Sequence, residues 1–169
     1  MDAETEPTDA GYRADALKER VYVTFTALAV VLAMQTHAEG LTAGEAAKTI
    51  AITVIGTLLA VFVADLVAHL AVHTVLPTRP ELRRMMRVSF GAFAVAVLPL
   101  IFIGFAALGS WQIGAALQAS TIALTASLIL IGYLAVRRAK LTWWQRLIAL
   151  GAEFLLGLAV VALELLAHG

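Results

Sequence analysis

Residues 42–76, TAGEAAKTIAITVIGTLLAVFVADLVAHLAVHTVL, decide the fold. The stretch is well past the ~20 residues a helix needs to cross a bilayer. It opens on Thr42 with Glu45 three positions later, the pattern in which a threonine and an acid satisfy each other's backbone N–H at a helix start. Towards its far end it carries Asp65, His69 and His73, spaced by four and therefore on neighbouring turns of one helix. Ionisable groups inside a spanning segment are costly and face protein or water rather than lipid, so this helix is where function is sought.

Working outward, the whole chain has the same character. Of 169 residues 61% are hydrophobic and only 14% charged, whereas soluble domains are about half apolar and a quarter charged. There is no cysteine, which removes disulfides, thiolate metal sites and cysteine nucleophiles together. The net charge of zero points to no nucleic-acid partner.

Residues 1–12 hold Asp2, Glu4, Glu6, Pro7 and Asp9 and no core-forming group, which predicts a short disordered acidic tail; they lack the basic start and apolar run of a signal peptide. A single transmembrane helical domain is expected over 13–169, with spans at about 21–37, 43–76, 79–108, 111–138 and 143–167. The first apolar run, Val21–Gln35, is short, and Arg20 can snorkel to the interface. Capping pairs Thr78 with Glu81 and Thr142 with Gln145 mark the third and fifth starts, and Ser110 is the expected N-cap of the fourth. Pro99 is expected to kink the third span.

Lysine and arginine set the topology. Arg13, Lys18 and Arg20 precede the first span, Arg79, Arg83, Arg84 and Arg87 follow the second, and Arg137, Arg138, Lys140 and Arg146 follow the fourth. Only Lys48 stands on the other side. Cytoplasmic segments carry the excess of basic residues, so the N-terminus is expected inside and the C-terminus outside. The expected fold is an all-α bundle of five transmembrane helices, a multi-pass protein of the cell (plasma or inner) membrane, with no internal repeat.

The polar residues of the second span, Glu45, Thr49, Thr53, Thr57, Asp65, His69 and His73, drift by ~40° at each step of four and wind around the helix. The row reads either as a polar track for a proton or cation or, for Thr49, Thr53 and Thr57, as hydroxyls bonding back to carbonyls one turn earlier. Asp65 lies deeper in the bilayer than His73, and His69 is its nearest partner by spacing. Asp65, His69 and His73 are also the candidate metal ligands, although a site would need further ligands from other helices, and no His-Glu-x-x-His pattern occurs. In the fifth span Arg146, Glu153, Gly157, Glu164 and His168 share one sector, with Glu153 near mid-membrane and Glu164 near the outer surface. Gln118, Thr121, Thr125 and Gly132, and separately Ser120 and Ser127, read as helix-packing contacts. Trp111, Trp143 and Trp144 read as interfacial anchors, and His37 as a solvated loop residue.

Three segments, Glu19-Arg20-Val21-Tyr22, Ala64 to His69, and GLAVVALELLAH at 157–168, resemble a family of small, uncharacterised actinobacterial multi-span membrane proteins. Those proteins begin with a Glu-Arg-x-Tyr element and close on a Leu-rich helix ending in His. The resemblance covers the first two spans and the last. In that family a histidine usually stands where this chain has Asp65, and a lysine is common where it has Glu164. The resemblance implies a helical membrane protein and brings no activity.

No Ser-His or Cys-His arrangement, phosphate-cradling glycine loop or metalloprotease motif is present, so no enzyme and no cofactor are expected. Two histidines one turn apart on one helix cannot ligate opposite faces of a haem. The sequence points to a small-cation or proton channel or transporter, with Asp65, His69 and Glu153 along the pathway, His73 at its cytoplasmic mouth and Glu164 towards the outside. The alternative is a non-catalytic structural or accessory subunit of a larger membrane complex. Expected partners are the lipid bilayer and either further copies of the chain or other membrane subunits, since polar sectors on several short helices need neighbours other than lipid.

Overall fold

The computed structural model describes residues 9–138, 143–145, 147–148, 151–152, 155 and 162. Most of the expected last span lies outside them, as do Thr142, Arg146, Glu153, Gly157, Glu164 and His168. The described residues form α1 (Asp9–Thr36), α2 (Ala43–His73), α3 (Arg79–Gly91), α4 (Ala94–Ala107) and α5 (Ile113–Arg138), with no strand among them. Among the described residues three stretches are long and apolar enough to cross a membrane: Ala43–His73, Arg79–Ala107 (α3 and α4 together) and Ile113–Ala135. An all-α chain with three such helices has the makeup of a membrane protein.

α1 is built differently. Its apolar run starts only at Val21, after Lys18, Glu19 and Arg20, and ends at Met34. At 1.5 Å per residue that run covers roughly 20 Å, short of the ~30 Å hydrocarbon core. It is nevertheless the helix that α2, α3, α4 and α5 all pack against. Its buried positions, Glu19, Val23, Thr24, Ala27, Leu28, Val31 and Met34, follow helical spacing along one continuous stripe. The helix begins at Asp9, inside the stretch expected to be a disordered tail, where an acid complements the positive end of the helix dipole.

α2 packs through Ala46, Ile50, Val54 and Leu58, a stripe one position beyond the polar row of Glu45, Thr49, Thr53 and Thr57. The threonines therefore flank the packed face. Both α2 and α5 lie against α1 and α4, so α1 and α4 form the shared middle of the bundle. Its core joins Val23, Val31, Ile50, Val54, Ala96, Ile103, Leu117 and Leu124.

The third apolar stretch is interrupted at Ala92–Phe93, ahead of Pro99. Around the break the N–H groups of Ala92, Phe93, Val95 and Ala96 bond to carbonyls three residues back, the tighter 3₁₀ pattern. Ser89 and Gly91 precede it, and Ser/Gly pairs are a recognised cause of helix interruption. Pro99 sits buried within α4, where its missing N–H is tolerated without a break of its own. Buried Val88, Ala92, Ala96, Pro99 and Ile103 keep helical spacing through the interruption, so α3 and α4 present one packed stripe.

Ser110 does not cap α5. Gly109 takes φ +75°, and the N–H groups of Gly109 and Ser110 bond to the carbonyls of Ala106 and Phe105, the paired bonds of a Schellman C-cap on α4. Ser110 is thus committed to the preceding helix, and α5 starts at Ile113 with the Gln112 carbonyl accepting from Ala116 N–H. α2 ends at His73, three residues before its expected limit. Thr74 adopts φ 56° and returns its N–H to the Leu70 carbonyl, and Pro77 follows.

Candidate functional site

The site lies where α1, α2 and α3 converge. Glu19 is 1% exposed, placed there because it stands four residues before buried Val23 on the packed stripe of α1. Its polar neighbours are the Asp65 carboxyl from α2 and the Ser89 hydroxyl from α3, itself fully buried. Neither Glu19 oxygen completes a hydrogen bond, and nor does Ser89 Oγ. Among the described residues, the cation that bears on Glu19 is Lys18 on the same helix, an exposed side chain turned to Asp15 at 3.9 Å.

Glu19 lies immediately before the apolar run of α1. Burial first, and the facing Asp65 carboxylate second, push its carboxyl above the usual carboxylate range. Burial acts by withdrawing water from the charged form, and a like charge adds to the same effect. The Ser89 hydroxyl and Lys18 act in the opposite sense and do not reverse it.

The polar residues continue along α2 beyond Asp65. His69 is half-buried, and its Nε2 is shielded from solvent with no hydrogen-bond partner. Its ring lies 4.6 Å from that of exposed His73, tilted by 41°. Glu81, in the first turn of α3, is near enough to both histidines to feel their charge. It also accepts from Thr78 N–H at 2.6 Å and Thr78 Oγ1 at 2.8 Å, which holds the carboxylate at the helix start. The order Glu19, Asp65, His69, His73, Glu81 therefore runs from the packed interior to the exposed end of α2.

Of the residues singled out by sequence, Asp65, His69 and His73 are thus brought together on α2, and Glu153 and Glu164 lie outside the described residues. The neighbour the structure gives Asp65 is Glu19, where spacing along the helix pointed to His69. Glu19 is not among the site residues that the sequence singles out. The signal for it was its register with Val23, Ala27 and Val31, together with its place in the Glu-Arg-x-Tyr element. Among the described residues no three His, Asp or Glu side chains converge in a way that would hold a metal ion.

Elsewhere the polar groups serve packing. Ser120 Oγ donates to the Ala116 carbonyl at 2.8 Å and Ser127 Oγ to that of Ala123 at 2.8 Å, each one turn back. Thr121 donates to Leu117 and accepts from Gln35 Nε2 at 2.5 Å, which ties α5 to α1 at the end away from Glu19. Trp111 lies against Phe102 and Phe105, with ring centroids 5.8 and 5.7 Å away. His37 is exposed, its Nδ1 2.8 Å from Thr36 Oγ1.

Comparison of the chain with models of known protein families, with curated proteins and with solved structures returns no match.

Proposed function

We propose that this membrane protein provides a pathway for a proton or small cation, as a channel or secondary transporter. The observation that supports it is the buried acid Glu19 facing Asp65, from which His69 and His73 lead to the exposed end of α2. A charged group inside a spanning helix is costly, about 3 kcal/mol at its centre on insertion scales, and Asp65 lies in a stretch long and apolar enough to span. Glu153 and Glu164 extend the same pathway outward in this reading, and the protein works as an oligomer of five-span subunits in the cell membrane, N-terminus inside and C-terminus outside.

A second reading is favoured by a different observation. The face of α2 formed by Leu59, Ala60, Val63, Ala64, Val67, Ala68 and Ala71 is a shallow, open, apolar groove of about 680 Å³. Alternating branched and small residues let a neighbouring helix approach closely, which suits a structural or accessory subunit. The two readings separate when carboxyls are neutralised. In the transport reading, Asp65→Asn and Glu153→Gln leave the folded protein intact and abolish flux in liposomes challenged with protons, potassium, sodium, magnesium and zinc. Folded wild-type protein that moves none of these leaves the accessory-subunit reading in its place.

A further inference from the structure

We propose that Glu19 and Asp65 form a proton-holding carboxyl pair, with Glu19 carrying the proton and donating it in a hydrogen bond to Asp65, so that the ion this site handles is H⁺. The inference rests on the pathway reading above and narrows its cargo.

The argument begins with donors and acceptors. An ionised carboxylate only accepts hydrogen bonds, so two ionised carboxylates facing each other leave both sides without a donor. That is the position of Glu19, whose two oxygens are shielded from solvent and complete no hydrogen bond. One proton between the two groups changes the balance. It removes one of two like charges, satisfies a buried oxygen on Glu19 and gives Asp65 a donor.

Among the described residues, the groups that bear on Glu19 leave no other means of neutralising it. From α2 the group that faces it is Asp65, and from α3 it is Ser89, which carries no charge. On its own helix Lys18 is near, but its ammonium lies 3.9 Å from Asp15 and its side chain is exposed. Exposed cations in high dielectric give weak compensation to a buried acid. A metal ion is the remaining candidate for balancing two acids. Hard cations take six or more oxygen ligands, and the described residues bring no three acidic or histidine groups together for one. Burial of Glu19 and the charge on Asp65 both favour its protonated form.

Release needs no further chemistry. The O–H bond of the Glu19 carboxyl breaks, H⁺ leaves, and the carboxylate keeps the electron pair. His69, with Nε2 buried and unpartnered one turn beyond Asp65, stands between the pair and exposed His73. Histidine is the side chain suited to relaying a proton at this point.

The test uses the full-length protein reconstituted in liposomes and follows the protonated-carboxyl C=O stretch by infrared difference spectroscopy across a pH series. At pH ~6 exposed carboxylates are ionised, so a protonated-carboxyl band there reports a shielded acid. The band is expected in the wild type, lost in Glu19→Gln, and shifted in frequency in Asp65→Asn, where the acceptor has changed. Glu19→Gln mimics the neutral form and is expected to fold. Should it fail to fold, the Asp65→Asn shift alone decides, because a Glu19 carboxyl not bonded to Asp65 keeps its frequency. A band unchanged in either folded variant overturns the pair. Proton flux in the same liposomes is read separately. The band without flux overturns the pathway reading and leaves the pair standing, whereas flux without the band overturns the pair.

Discussion

Glu19 sits at a helix position that packing reserves for an apolar side chain. Val23, Ala27 and Val31 occupy the same stripe and are 0%, 1% and 0% exposed, and Glu19 is 1% exposed beside them. An acid held there with a raised affinity for its proton makes stability depend on pH, and the sign follows from linkage. The folded state binds the Glu19 proton more tightly than the unfolded state does, so its contribution is fully present below the ordinary carboxylate value. It is lost as pH rises through the raised value of the folded protein. The melting temperature of the purified protein is therefore expected to fall as pH rises from about 5 to 8, across and above the ordinary carboxylate range. Glu19→Gln, neutral throughout, is expected to flatten that dependence and to melt above the wild type at the alkaline end. Parallel melting curves for the two proteins over the whole series would show that Glu19 binds its proton no more tightly when folded.

At the scale of helices, ends are set by local chemistry and breaks by backbone geometry. α2 starts where the Thr42 N–H and hydroxyl both donate to Glu45 Oε2, at 2.9 and 2.7 Å, and Glu45 N–H returns a bond to Thr42 Oγ1 at 3.2 Å. Thr42→Ala removes the hydroxyl and is expected to lower stability by about 1 kcal/mol, the usual value of an N-cap side chain. Denaturant titration of the folded protein checks it, and a loss below a few tenths would mean that Glu45 alone holds the helix start. Both capping boxes that fall on described residues were legible in the sequence, because a threonine and a glutamate three apart satisfy each other without help from the rest of the fold. Ser110 was misassigned for the converse reason. A serine can cap the following helix or join the preceding C-cap, and its neighbour Gly109 at positive φ commits it to α4. The helical break likewise follows local chemistry: it falls at Ala92–Phe93, after Ser89 and Gly91, while α4 continues through Pro99.

For the whole molecule, the inside-positive arrangement yields a topology that can be measured. In single-cysteine variants of this cysteine-free chain, positions 137–142 are expected to be shielded from a membrane-impermeant thiol reagent added outside intact cells. Position 40, in the opposite connection, is expected to react. Labelling of 137–142 from outside would invert the arrangement of every span. Composition and hydropathy already marked a helical membrane chain, because the backbone can satisfy its hydrogen bonds in hydrocarbon only within helices or closed barrels. The three long apolar helices among the described residues and the contact of His69 with His73 on α2 were legible on the same terms, being consequences of apolar length and of 3.6-residue periodicity. Which helix stands at the centre was not. α1 is the least apolar of the long helices, and it takes the middle because neighbouring helices cover it, so its surface answers to side chains rather than to lipid. The partner of Asp65 was hidden for the same reason. Residues 19 and 65 are joined by no local spacing rule, and only the packing of α1 against α2 and α3 brings half-buried Asp65 to the buried Glu19 and Ser89.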